Sequence, residues 1–306
     1  MPVSSSVKDY LMLHIIVLIW GFTAILGILI SIPSVEIVFY RTLMAAISLG
    51  LIFWWKKSKV RLPQKELLKI VGTGVLIALH WILFFGAARV SNISVCLAGM
   101  ATASFWTALI EPMVNQSKVK WYEVMLGVLV IFGLFIIFSF EFDYWLGLVM
   151  AVISALLGAC FMVINGRLTK RGSPYVITFY EMVGACLFSV LFMPVYAYFF
   201  AVDGLQLVPS AMDWLWLFLL AGICTVYAFS VSVELMKRLT AFAVNLTVNL
   251  EPVYGIVLAV LIFGEKEKMT GGFYLGTLVI LFSVCLYPLF NFFYKRRKAK
   301  QLLRVQ

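Results

Sequence analysis

The 306-residue chain is 63% hydrophobic and only 12% charged, against roughly 45–50% and about 25% for a water-soluble domain. That balance excludes a soluble globular fold and makes the chain an integral membrane protein. Its net charge of +10 has meaning only by location along such a chain and is not by itself a sign of nucleic acid.

A helix needs roughly 17–25 apolar residues to cross about 30 Å of hydrocarbon. The first such run, 11–30, follows Lys8. It is too long for a signal-peptide core and has no A-x-A cleavage pattern behind it, so it reads as a retained span. Further runs lie at 34–55, 68–87, 93–114 and 121–139, then at 144–166, 174–200, 213–232, 241–263 and 271–294. Ten helices with short connections leave no space for a soluble domain. The five cysteines all fall inside apolar runs, and no two are spaced as a metal or redox pair. They read as small packed hydrophobes, and no metal or cofactor is expected.

The loops sort by charge. Lys8, Lys56, Lys57, Lys59, Arg61, Lys65, Lys69, Lys118, Lys120, Arg167, Lys170, Arg171, Lys237 and Arg238 fall on one side. The tail, with Lys295, Arg296, Arg297, Lys298, Lys300 and Arg304, falls there too. The other side holds Arg89, Lys266 and Lys268, with Glu141, Asp143, Asp203, Asp213, Glu265 and Glu267. The positive-inside rule then predicts cytoplasmic N- and C-termini. The basic tail, 295–306, reads as an anchor near anionic lipid.

Polar residues inside the runs are few, and an intramembrane ionisable group marks a functional site by default. In chain order, Trp20 and Thr23 in the first span are candidate cavity walls. Arg41 follows in the second span, with Ser34 and Ser48 on its face. It either contacts a substrate or snorkels to the headgroups. His80, with Thr73 and Phe84 on its face and Trp81 beside it, is either a packed hydrogen-bonded residue or a proton relay. Glu111, below Ser104 and Thr107, is a candidate for the inner mouth. Glu181 occupies the place in the seventh span that Arg41 holds in the second. The two together could meet both charges of a zwitterion or act as gates.

The ninth span carries Glu251 near its middle. Helical spacing puts Thr247 and Tyr254 on its face. These three are expected to line a cavity, while Asn245 and Asn249 bond a neighbouring helix. Pro252 removes a backbone hydrogen bond and lets the helix bend beside the charge. The alternative is that Glu251 only hydrogen-bonds an adjacent helix.

The spans divide into two sets of five, residues 1–140 and 141–294, with traces of a duplication. IVFYR at 37–41 matches ITFYE at 177–181, and LG at 126–127 matches LG at 275–276. Aligning the fourth and ninth spans sets Ser104-Phe105, not Glu111-Pro112, opposite Glu251-Pro252. An odd number of crossings per half forces the halves to insert with opposite orientations, the architecture of many secondary transporters.

IWGFT at 19–23, FYRTLMAA at 39–46, NLEPVYGIVLAVLIFGEK at 249–266 and GFYLGTLVI at 272–280 resemble the EamA family of the drug/metabolite transporter superfamily. The first-half counterpart, SFWTALIEPMVNQSK at 104–118, departs from that pattern: it has Phe105 where the family often has proline and lacks the Gly-Glu ending. The resemblance implies an all-α membrane fold of ten helices, two inverted five-helix repeats around a central cavity. It also implies export of small metabolites, commonly amino acids or related amphipathic compounds, and a scaffold role for the fifth and tenth helices. There the Gly272/Gly276 pair serves either packing within the chain or a dimer contact.

A membrane enzyme is disfavoured, because the chain has two histidines, His14 and His80, and none of the H-E-x-x-H, G-x-S-x-G or phosphate-loop signatures. Without an ATP site, transport would run on gradients. The expectation is therefore a secondary exporter of a small-molecule substrate in the bacterial inner membrane, monomer or homodimer. It would work by alternating access, with Glu251 binding a substrate amine or a proton and Arg41 a carboxylate, and with proton antiport through Glu251 or facilitated diffusion. The alternatives are a permease for a nucleobase, sugar or drug-like cation, or a channel.

Overall fold

Without water in the bilayer core, each apolar run must satisfy its own backbone groups, which leaves the α-helix as the only open-chain solution. The computed structural model describes residues 6–58, 60–140, 142–170, 172–201, 204–264 and 269–303. Lys59, Glu141, Arg171, Asp203, Glu265, Lys266, Glu267, Lys268 and Arg304 lie outside them, as do the side chains of Lys295, Arg297, Lys298 and Lys300. Among the described residues there is no strand, and ten helices are long and apolar enough to cross a membrane. They are α1 (Val7–Leu29), α2 (Ser34–Trp55), α3 (Gln64–Val90), α4 (Ile93–Asn115) and α5 (Trp121–Phe140). The second set is α6 (Trp145–Leu168), α7 (Pro174–Phe199), α8 (Ala211–Leu235), α9 (Ala241–Phe263) and α10 (Gly271–Leu303).

Three of these helices are irregular, and each irregularity falls where the helices face the centre. The fourth breaks into Ile93–Met100 and Ala103–Asn115, and the ninth into Ala241–Val248 and Glu251–Phe263. Pro252 at the second position of the later half accounts for the break in α9, since it has no N–H to give. The break in α4 has no proline at that place, yet it falls within a residue of the position that the Ser104/Glu251 alignment predicts. Helix α8 widens into a π-helical stretch at Gly222–Tyr227.

The two repeats interlock rather than sit side by side. Helix α3 packs on α6 and α7 of the second repeat, and α8 packs on α1 and α2 of the first. Equivalent helices also meet, α2 with α7 and α5 with α10. Such reciprocity is what inverted repeats produce. Small residues permit the close crossings. A Cβ on Gly133 would lie 2.7 Å from the Gly276 carbonyl oxygen, and one on Gly272 would enter the Phe140 ring. The Gly272/Gly276 pair is thus used within the chain, between α5 and α10.

Polar contacts fasten the ends. On the face bearing Lys56, Lys120, Arg167 and Arg238, called the basic face below, Arg238 pairs with Asp9 at 2.9 Å, and Ser6 and Asp9 form a capping box at the start of α1. On the opposite face Asp213 accepts the backbone N–H of Ser31 at 2.7 Å and its hydroxyl at 2.6 Å, tying α8 to the α1–α2 turn. There too Arg89 donates to the carbonyls of Gly27 and Ile30, where the C-terminal end of α1 attracts a cation.

Candidate substrate cavity

Between the repeats lies a cavity of about 70 Å³, space for a handful of waters. Helices α1, α2, α3, α4, α6, α8 and α9 line it, and α5, α7 and α10 do not. Its wall is aromatic for the most part, with Trp20, Trp81, Phe84, Phe161 and Phe229. Two charged side chains of opposite sign face it, Arg41 and Glu251.

Arg41 is 1% exposed, so it does not snorkel to a headgroup. Its guanidinium lies 3.7 Å from the centre of the Trp81 ring, a cation–π contact in a desolvated place. Its Nε donates to the Thr225 hydroxyl at 2.7 Å, and its Nη1 has no partner. The π-helical stretch of α8 makes this possible. Thr225 there donates to the carbonyl of Leu220, five residues back, and the Cys224 carbonyl accepts from Trp20 Nε1 at 3.2 Å. A widened turn thus turns a backbone carbonyl toward Trp20 and a hydroxyl toward Arg41, both of which line the cavity.

Glu251 begins the second half of α9 and is 7% exposed. Among the described residues it makes no hydrogen bond, and the ion pairs there are Lys120–Glu123 and Arg238–Asp9. Arg41 and Glu251 therefore share one cavity without neutralising each other by direct contact. Both broken helices also point a fresh N-terminus at this level, at Ala103 and at Glu251. Half-helix ends at mid-depth are how many transporters build their sites, because unspent N–H groups and the helix dipole face the ligand.

On the basic side of the cavity the later half of α4 and the earlier half of α9 run antiparallel and are joined by a polar zipper. Asn249 donates to the Ser104 hydroxyl at 3.0 Å, Asn245 to the Thr107 hydroxyl at 2.6 Å, and the Phe242 N–H to Glu111 at 2.9 Å. On the other side the corresponding crossing is close-packed and apolar: a Cβ on Gly255 would enter the Leu97 side chain. His80 is held by Ser154, whose carbonyl lies 2.8 Å from Nδ1 and whose hydroxyl donates to the His80 carbonyl at 2.7 Å. Assigning the proton to Nδ1 leaves Nε2 as the ring nitrogen open to a ligand.

Of the residues singled out in the sequence, Trp20, Thr23, Arg41, His80, Trp81, Phe84 and Glu251 lie on the cavity wall. Thr247 and Tyr254 do not: the break at Asn249 and Leu250 takes Thr247 out of phase with Glu251, and Tyr254, on the same half-helix as Glu251, faces α1. Thr247 donates to its own helix at Ala243, and Tyr254 packs against Gly21 of α1. Pro252 is at the break and Glu111 is in the zipper, both outside the wall. Glu181 is fully buried away from the cavity, on α7, which contributes nothing to the wall. Asn245 both bonds α4 and lines the cavity. Met100, Gly158, Phe161, Met162 and Phe229 carry no signal that separates them from other apolar span residues, and they became visible only in the fold.

Ten membrane-crossing helices in two interlocked, inverted sets of five, with broken helices and opposite charges around a central cavity, define a multi-pass membrane transporter of the drug/metabolite type. The chain belongs to the EamA-like transporter family, which matches residues 8–139 and 145–288, one segment in each half. A solved structure titled only "Crystal structure of protein" aligns over 94% of this chain and 98% of its own, with TM-score 0.68 and 14% identity, a likeness of fold alone. No curated protein sequence matches the chain.

Proposed function

We propose that the protein exports small zwitterionic or amphipathic metabolites, amino acids or close relatives, by alternating access across a bacterial inner membrane, with its basic face cytoplasmic. The observation that carries this reading is the pair Arg41 and Glu251, opposite in charge and unpaired with each other, on the wall of one aromatic cavity. Arg41 offers a planar donor fork to a carboxylate, pre-aligned by Trp81 and Thr225. Glu251 accepts an ammonium group. The two N-terminal half-helix ends favour the anionic part, and Trp20, Phe84, Phe161 and Phe229 receive the apolar part. Thr23, whose hydroxyl lies near the Cys224 thiol short of hydrogen-bonding geometry, and His80 Nε2 supply further polar contacts.

Because ligand pockets commonly reach about 300–1,000 Å³, the present cavity is a contracted state that widens to load. The zipper of α4 and α9 would open toward the basic face, and the Gly255–Leu97 crossing toward the other. Purified protein in liposomes preloaded with radiolabelled amino acids should show saturable one-for-one exchange. Glu251→Gln should abolish exchange of compounds carrying an ammonium group. Unsaturable flux would reveal a channel, and wild-type exchange by folded Glu251→Gln would remove Glu251 from the site.

A further inference from the structure

Outside the cavity lies a second buried polar cluster. Glu181 on α7 is 0% exposed, and neither carboxylate oxygen has a hydrogen-bond partner. The carboxamide of Asn165 on α6 and the hydroxyl of Thr178, about one turn before Glu181, are equally buried and equally unpartnered. Asn165 lies close enough to act on Glu181, short of hydrogen-bonding geometry.

Among the described residues no countercharge acts on Glu181. Arg41 on α2 is engaged with Thr225 and Trp81, and His80 on α3 with Ser154. Arg167 on α6 donates to the Val114 carbonyl, and Glu234 on α8 interacts with Tyr175. On α7 itself Tyr180 donates to the Val60 carbonyl and Cys186 interacts with Thr42. Lys69 on α3 lines a vestibule of about 800 Å³ that opens at the basic face. A carboxylate ionised in that setting would carry several kcal/mol of uncompensated desolvation. A carboxylic acid would not, and its O–H can turn to the Asn165 carbonyl oxygen.

The vestibule comes within one residue or one helical turn of this cluster along α6 and α7, though none of the three lines it. Its wall includes Ile164, next to Asn165 in the chain, and Ile177, one helical turn before Glu181. It also includes Thr73, whose neighbour Gly74 abuts the Glu181 backbone.

We propose that Glu181, with Asn165 and Thr178, is a proton-binding site reached from the basic face, distinct from the substrate cavity, and that its proton is the ion coupled to transport. One proton from vestibule water converts the carboxylate to the acid, and its return to water restores the carboxylate; no other bond changes. The coupling role rests on the carrier reading above, whereas the proton site stands without it.

The test needs no identified substrate. Infrared spectra of the full chain in lipid should show a protonated-carboxyl band that shifts in heavy water and is missing from Glu181→Gln. Glu181→Asp should keep a displaced band, Asn165→Leu should move it, and Glu251→Gln should leave it in place. A band that survives in Glu181→Gln, fails to exchange in heavy water, or vanishes when sodium replaces potassium overturns the proposal. In liposomes that show amino-acid exchange, Glu181→Gln should keep the exchange and lose accumulation driven by a pH gradient. Accumulation at the wild-type level would overturn the coupling role alone, and loss of exchange in Glu251→Gln with the band intact would bear only on the cavity.

Discussion

Arg41 and Glu181 stand at the same place in the two repeats, at the end of IVFYR and ITFYE, and their surroundings differ in kind. Arg41 is stacked on Trp81, bonded to Thr225 and on the cavity wall, with its Nη1 unpartnered. Glu181 lies off the substrate cavity with no hydrogen-bond partner, and the backbone of α3 passes directly over it at Gly74. The difference follows from what the other repeat sends to meet each helix. Helix α8 reaches α2 with a π-helical stretch that presents a hydroxyl. Helix α3 meets α7 backbone to backbone, at Gly74 of α3 and at Gly184 of α7, and no hydrogen bond reaches Glu181 there. Duplicated helices thus keep their positions while their sites diverge.

The strongest way to break the comparison is to exchange the charge. Glu181→Arg would force a cation and extra volume into a crossing with no space and no counterion. It should cost several kcal/mol, read as loss of monodisperse protein after purification. Arg41→Ala leaves the fold and removes one charged contact to substrate. Exchange should fall roughly a hundredfold, about 3 kcal/mol, measured as the concentration giving half-maximal rate. Wild-type exchange would make the two positions alike after all.

Gly74→Val sharpens the comparison from the Glu181 side. Its Cβ would lie 2.7 Å from the Ala185 nitrogen, and such overpacking should cost about 1–3 kcal/mol, seen as a lower thermal midpoint. A valine at Gly72, where added atoms meet open space, should leave the midpoint unchanged. The smallest effect is expected in the zipper. Asn245→Ala removes the donor to Thr107 and should cost about 1 kcal/mol. By weakening the seal on the basic side it should also increase labelling of a cysteine placed at Val248 by a thiol reagent added from that side.

Glu251 stood out in the sequence because a carboxylate within an apolar run is costly wherever it lies, and Arg41 stood out for the same reason. The residue pattern offered Arg41 two companions, Glu181 by repeat symmetry and Glu251 as the other end of one substrate. The fold puts Arg41 and Glu251, more than two hundred positions apart in the chain, on the wall of one cavity and leaves Glu181 off it. Thr247 was misplaced because a break at Asn249 and Leu250 undoes helical phase, and Tyr254 because its half-helix turns that side chain to α1. The π-helical turn in α8 has no proline to announce it and left no trace in the residue pattern.

By itself the sequence determined the ten crossings, their division into two sets of five and the sorting of charge between faces. Each of these is a property of stretches about twenty residues long or of the loops that join them, and hydrophobic burial reads such stretches locally. Only the tertiary structure decided which polar residues share a chamber, which is left alone and where helices break. Those outcomes depend on how helices from opposite repeats pack, and packing energies arise between residues far apart in the chain.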